Sequence, residues 1–154
     1  LHKAKLAAMQ YLFYCDVDMR FVAPVGPEIL GDLVGTLHPG FATKPPSFGT
    51  PERNAQSKAY IAHGTKNRYY AGGFNGGKAA SFLKMAEILD KNIDDDEKRG
   101  IIAQWHDESH MNHYFLHSKP TISLNPGYCH PDNVTLPYPP KILALTKDHK
   151  KMRS

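Results

Sequence analysis

Tyr11-Leu12-Phe13-Tyr14-Cys15-Asp16-Val17-Asp18 is an aromatic, apolar run that stops at two aspartates one residue apart. Five residues of this composition read as a buried strand. In an extended backbone residues i and i+2 project to the same side, so the strand is expected to present Asp16 and Asp18 together at its carboxyl end. Open α/β sheets bind ligands there. Two carboxylates so close repel one another unless a cation lies between them, and hard oxygen donors suit Mg²⁺ or Mn²⁺ shared with substrate phosphates. The plain alternative is a turn opened by two exposed aspartates.

The chain has 154 residues, 41% hydrophobic and 22% charged, which suits one domain with an ordinary core. No apolar run approaches the roughly 20 residues that span a bilayer, and no signal-peptide pattern opens the chain. The net charge of +4 matters mainly through its placement, with Lys147, Lys150, Lys151 and Arg153 crowded into the tail. Such a tail is either a solvated extension or an anion clamp. No basic helix or repeated Arg-aromatic pattern accompanies it, which argues against nucleic-acid binding. Cys15 and Cys129 fit no metal-binding spacing.

Working outward from the strand at 11–15, a helix is predicted over 1–10 and a second over 27–37, where Pro27 suits a first turn and Glu28 complements the helix dipole. Residues 39–56 read as a long loop of the kind that carries function. A short strand is expected at 59–62. The segment Tyr69-Tyr70-Ala71-Gly72-Gly73-Phe74-Asn75-Gly76-Gly77 follows. Gly76-Gly77 suits a tight turn into a helix over 78–91, whereas Gly72-Gly73 inside a strand is better explained as the floor of a ligand pocket. No phosphate-loop fingerprint is present. Residues 94–100 read as a solvated surface connection without chemistry. A helix is predicted over 109–116, capped by Asp107 or Ser109, with its amino end facing the site. Strands are expected at 121–124 and 142–145, joined by a Pro-rich loop over 125–140. This alternation predicts an α/β sheet.

The densest reactive cluster is Trp105-His106-Asp107-Glu108-Ser109-His110, with His113 and His117 one and two turns further on. A zinc site on that helix would need Glu directly after the first His, and Asp107 stands there instead. A better combination takes Asp16 and Asp18 as metal ligands, Glu108 as a carboxylate at the reacting carbon and the basic tail as a diphosphate clamp. That set describes group transfer from a nucleotide-activated donor.

Asp16-Val17-Asp18-Met19, Leu37-His38-Pro39-Gly40-Phe41, Glu52-Arg53, Ala59-Tyr60-Ile61, Tyr69-Tyr70, Gly72-Gly73-Phe74, Gly76-Gly77, the Trp105 to His110 block and the closing lysines and arginine occur in an order that resembles glycosyltransferase family 6. The histo-blood-group A/B transferases and the α-1,3-galactosyltransferases belong to it, and the resemblance covers nearly the whole chain. It implies a GT-A-type, Rossmann-like nucleotide-diphospho-sugar transferase fold. The family carries a long segment ahead of this motif, so residues 1–154 are expected to be the C-terminal portion of that catalytic domain, with 146–154 as a lid.

By the same resemblance, Asp16 and Asp18 hold Mn²⁺ against a UDP-sugar diphosphate, and Glu108 is the catalytic carboxylate of a retaining transfer. His106, Asp107, Lys147 and Arg153 match donor contacts. His38, Thr50, Trp105 and the displaced Asp132 match acceptor contacts, the acceptor being a galactose-terminated, optionally fucosylated glycan. Ala71, Gly72 and Gly73 line the space around the donor's C2 substituent, and the small Gly73 implies UDP-GalNAc over UDP-Gal. Residues 137–150 and 67–69 resemble the soluble prokaryotic and viral branch more than the animal one; the compartment is left open, cytoplasmic for an enzyme of the prokaryotic or viral type and the Golgi lumen for one of the animal type. A non-catalytic carbohydrate-binding module is the competing expectation, with the zinc hydrolase behind it.

Overall fold

The computed structural model describes residues 2–146. Lys147 and Arg153, and all of the expected lid except Thr146, lie outside the described residues. The helices are α1 (Lys3–Ala7), α2 (Ala79–Glu97) and α3 (His106–His117). The strands are β1 (Tyr11–Cys15), β2 (Met19–Phe21), β3 (Leu33–Leu37), β4 (Tyr70–Lys78), β5 (Ile122–Leu124), β6 (His130–Pro131) and β7 (Ile142–Ala144). They form a larger sheet in the order β1-β4-β3-β5 and a smaller one in the order β2-β7-β6. Within the larger sheet β4 runs antiparallel to both β1 and β3, while β3 and β5 are parallel. The architecture is therefore a mixed α/β one, and no helix among the described residues is long and apolar enough to cross a membrane.

Two apolar layers hold the larger sheet. Leu33 and Tyr70 pack against Met85 of α2 and Met111 and Phe115 of α3. Val34, Phe74 and Leu124 pack on the other side against Tyr128 and Ile142, so neighbouring Leu33 and Val34 serve opposite faces as strand alternation requires.

The strands expected near 11–15, 121–124 and 142–145 are present, and so are both long helices. Helix α2 runs on to Glu97, beyond the expected limit, and α1 covers only Lys3–Ala7 of the 1–10 helix. Two elements differ in kind. The helix predicted over 27–37 is a single 3-10 turn, Pro27–Ile29, followed by β3. Pro27 does start a turn, but Leu33-Val34-Gly35-Thr36 is buried throughout between two layers, where a strand can serve both and an amphipathic helix cannot. The strand expected at 59–62 is a loop with Ala59 and Ile61 buried, its Ile61 N–H donating to the Glu52 carbonyl at 3.0 Å. No neighbouring strand is needed to satisfy it.

The 94–100 segment also departs from expectation. Asp96 is 1% exposed, and its carboxylate accepts from Ser57 Oγ at 2.5 Å and Lys58 N–H at 2.9 Å, pairs with Arg99 and lies 3.7 Å from His110 Nε2. This aspartate is a buried joint between the 52–61 loop, α2 and α3. The acidic run around it on the chain concealed that role.

Candidate active site

Strand β4 organises the centre. Its register against β3 jumps, Gly35 opposing Asn75 while Thr36 opposes Ala71. Residues 72–74 therefore bulge away from β3, and the bulge is held by Thr36 Oγ1 donating to the Phe74 carbonyl at 2.8 Å and Asn75 Nδ2 donating to the Gly72 carbonyl at 2.9 Å. A bulge frees backbone groups from the ladder. Gly72 uses its free N–H to donate to Glu108 Oε2 at 2.8 Å. The glycine pair thus lies in a β-bulge, a structural cause that the two glycines alone did not reveal.

The two glycines face different neighbours. A Cβ on Gly72 would stand 3.2 Å from Glu108 Cβ, whereas one on Gly73 would stand 3.2 Å from Asp16 Oδ2, 3.3 Å from Cys129 Sγ and 3.5 Å from Met19 Cε. The bulge therefore separates a Glu108 side from an Asp16 side. Ala71, just before it, is buried and paired with Thr36. Gly77, by contrast, is structural: its φ of +142°, and the Asp32 carbonyl oxygen that a Cβ there would strike, explain that glycine without a ligand.

Asp16 and Asp18 do not project side by side from an extended strand. The chain leaves β1 at Cys15 and turns, Met19 N–H donating to the Asp16 carbonyl at 3.1 Å with Val17 fully exposed at the tip. The plain turn is thus the local structure, but the tertiary fold sets it against the bulge, Asp16 N–H donating to the Gly73 carbonyl at 3.0 Å. Asp16 Oδ1 also accepts from Tyr14 Oη at 2.6 Å, an interaction that pushes the Tyr14 hydroxyl up, helped by burial. Both aspartates are half-buried. Among the described residues no three His, Cys, Asp or Glu side chains converge on a metal centre. Two hard carboxylates on a turn fit an ion of the Mg²⁺ or Mn²⁺ type that takes its remaining ligands from substrate oxygens and water, and they do not fit a structural zinc site.

Glu108 lies in the first turn of α3, the helix end that favours anions. Burial pushes its carboxyl above the ordinary range; the Gly72 N–H and the Tyr69 hydroxyl, which donates to Oε1 at 2.8 Å, pull it back, while Asp107 and Asp16 push it further up. Helix α3 begins at His106, earlier than expected, and neither Asp107 nor Ser109 is its N-cap. Trp105 occupies that position, and its N–H donates inward to Ser109 Oγ at 3.0 Å. His106 has a left-handed backbone with φ of +47°, a strained conformation for a residue with a side chain. His106 and Asp107 are exposed and line a cleft of about 220 Å³ with Ile93, Ile101, Ala103 and His110. Trp105 is exposed, an available apolar surface.

His38 and Thr50 come together around Tyr69. The His38 ring lies 5.6 Å from the Tyr69 ring and 4.8 Å from Phe41, burial lowers its pKa, and the Thr50 carbonyl faces the Tyr69 hydroxyl at 3.3 Å. Asp132 sits elsewhere, its carboxylate bonded to the N–H and hydroxyl of Thr146 after β7. Of the further histidines, His110 is buried beside Asp96, and His113 and His117 contact each other at 5.7 Å.

Three residues of this centre escaped sequence reasoning. Tyr69 was visible only as part of a motif. Asn112 is 1% exposed; its side chain accepts from Tyr70 N–H at 2.9 Å and donates to the carbonyls of Tyr70 at 2.8 Å and Glu108 at 2.9 Å, clasping β4 to α3. Cys129 is buried beside Gly73, and burial first, then the charges of Glu108, Asp16 and Asp18, pushes its thiol up to about 12. The i+4 spacing from Glu108 to Asn112 was the one available signal.

A half-buried carboxylate, Glu108, thus stands on one side of a backbone bulge and Asp16 on the other. The glycosyltransferase family 6 model matches residues 1–154. Similar proteins include histo-blood group ABO system transferase 1 of Rattus norvegicus, 40% identical over 95% of this chain and 43% of the relative. Globoside alpha-1,3-N-acetylgalactosaminyltransferase 1 of Homo sapiens is 37% identical over 99% and 46%. The O-antigen biosynthesis glycosyltransferase WbnI of Escherichia coli is 31% identical over 95% and 63%. This chain belongs to glycosyltransferase family 6 and spans less than half the length of those rat and human relatives.

Proposed function

We propose that the protein carrying this chain is a retaining glycosyltransferase that moves GalNAc, in preference to Gal, from a UDP-sugar to the 3-OH of a terminal galactose, forming an α-1,3 linkage. The residues described would form the C-terminal portion of a GT-A-type domain. The observation that carries this reading is Glu108: a half-buried carboxylate with each oxygen held by one donor, at a glycine bulge whose other side faces Asp16. The names of the rat, human and bacterial relatives support the reaction class.

In this reading the donor sugar lies over Gly72-Gly73, with its C2 substituent in the room left by Gly73. Glu108 faces the anomeric carbon. Either its carboxylate bonds to that carbon as the bond to the UDP oxygen breaks, and the acceptor 3-OH then displaces it, or it stabilises positive charge while acceptor and leaving group exchange on one face; in both the 3-OH proton passes to the released UDP phosphate oxygen. Both routes retain configuration, the first by analogy with the carboxylate nucleophile of retaining glycoside hydrolysis. Asp16 and Asp18 would hold a divalent cation, Mn²⁺ by resemblance, which would neutralise charge on the departing diphosphate. His38, Thr50 and Trp105 would flank a galactose-terminated acceptor, and His106 and Asp107 the donor.

The test is an assay of the full-length protein with UDP-GalNAc and UDP-Gal, Mn²⁺ and a galactose-terminated acceptor with and without α-1,2-fucose, the anomeric linkage being read by NMR. Glu108→Gln should abolish most turnover while preserving acceptor binding. Full sugar binding without transfer in the unsubstituted protein would favour a carbohydrate-binding module instead.

A further inference from the structure

We propose that Tyr69 is a positioning residue for this centre, its hydroxyl fixing the plane of the Glu108 carboxylate and favouring its anionic form. The inference rests on the reading of Glu108 as the catalytic carboxylate. Tyr69 is 5% exposed and sits immediately ahead of β4. Its ring is enclosed by the long loop: Phe41 and His38 each lie 5.6 Å away by ring centroids, and a Cβ on Gly49 would come within 2.7 Å of it. Its carbonyl accepts from His38 N–H at 3.0 Å. The hydroxyl is therefore held from several sides, and its one proton has two acceptors, Glu108 Oε1 at 2.8 Å and the Thr50 carbonyl at 3.3 Å. The shorter contact, to a charged acceptor, is the stronger.

Glu108 receives one donor on each oxygen, Tyr69 on Oε1 and Gly72 N–H on Oε2. Rotation of the carboxylate breaks both bonds, and a protonated carboxyl must surrender an acceptor site. Facing Glu108 from the remaining elements are Asp107 on its own helix, Asp16 after β1 and the Cys129 thiol. Burial and the two acids oppose its ionisation, so the two donors are what counter them. Gly72 donates from the backbone, which leaves Tyr69 as the side chain through which the carboxylate is tuned. A phenol held by burial above its ordinary pKa keeps its proton and remains a donor across the working range of pH.

The experiment measures kcat, KM and their pH dependence in the full-length protein with UDP-GalNAc and a galactose-terminated acceptor. Tyr69→Phe keeps the ring and should lower kcat roughly 10- to 100-fold, as expected for one lost hydrogen bond to a charged group, with donor KM unchanged within about twofold. The acid limb of the kcat profile should move to higher pH. A second variant, carrying 3-fluorotyrosine at position 69, keeps fold and volume while strengthening the donor, and should move that limb to lower pH. An acid limb unmoved in both variants of an active enzyme would overturn the proposal, whatever happens to the rate. Absence of hexosyl transfer in the unsubstituted protein would overturn the functional reading instead.

Discussion

Adding a single methyl at Gly73 and at Gly72 should have different consequences, although the residues are neighbours. In Gly73→Ala the new Cβ stands 3.2 Å from Asp16 Oδ2, 3.3 Å from Cys129 Sγ and 3.5 Å from Met19 Cε, contacts that each neighbour can relieve by a few tenths of an ångström. The backbone need not change, because Gly73 has no left-handed φ. The methyl takes room that the reading above assigns to the donor's C2 substituent, so the loss falls on the bulky N-acetyl group and spares the hydroxyl of UDP-Gal. One methyl-sized change in a pocket alters discrimination by about 1 to 3 kcal/mol, so the GalNAc-to-Gal ratio of kcat/KM should fall about 10- to 100-fold. Displacement of Asp16 would slow both donors equally and cancels in the ratio. In Gly72→Ala the methyl meets Glu108 Cβ at 3.2 Å and its Oε2 at 3.6 Å, disturbing the N–H that holds the carboxylate. Turnover should drop with both donors and the ratio should stay put. A donor competition read by mass spectrometry measures both variants together. A Gly73→Ala ratio equal to that of the unsubstituted enzyme would refute the assignment of this space to the C2 substituent, and a ratio change in Gly72→Ala would refute the two-sided geometry.

Asn112→Ala leaves the N–H and carbonyl of buried Tyr70 without their side-chain partner and should cost about 2 to 4 kcal/mol, seen as a lowered thermal midpoint with turnover reduced at temperatures where the fold persists. Asp96→Ala strands Ser57, the Lys58 N–H and Arg99 and should destabilise by about 3 to 5 kcal/mol; a change under about 1 kcal/mol in denaturant unfolding would show that the buried joint is dispensable. Glu28 carries a pH signature: the Lys141 ammonium first, then the Gly26 N–H and the Tyr128 hydroxyl, lower its carboxyl to about 2. A carboxyl depressed in the folded state stabilises above its unfolded pKa of about 4.3 and loses that contribution as pH falls towards the folded value. The thermal midpoints of Glu28→Gln and the unsubstituted protein should therefore differ at pH 6 and converge as the pH falls through that window.

The strands β1, β5 and β7 and the helices α2 and α3 were legible because each carries a local signal: an aromatic or β-branched run, or a stretch without breakers. The family and the reactive block at 105–110 were legible for the same reason, since a motif is a local object. Strand β3 was not. Pro27 and Glu28 opened a helical pattern that the sequence reading carried through the breaker at Gly31-Asp32, and burial between two layers makes 33–37 a strand. Asp96 was masked by its charged neighbours, because the Ser57, Arg99 and His110 groups that satisfy it are assembled by the fold.

The candidate site divides in the same way. Composition and spacing singled out Asp16, Asp18, Glu108 and the glycine pair as candidates, and these belong to the chain however it is folded. Tertiary structure decided what they do to one another. It turned Asp16-Val17-Asp18 into a tight turn rather than a strand end and opened a bulge in β4 that points one backbone N–H at Glu108. It also brought Tyr69, thirty-nine residues away along the chain, within hydrogen-bond distance of that carboxylate. A hydrogen bond depends on separations of a few tenths of an ångström between atoms whose order in the chain carries no distance, so such contacts arise only once the layers are packed.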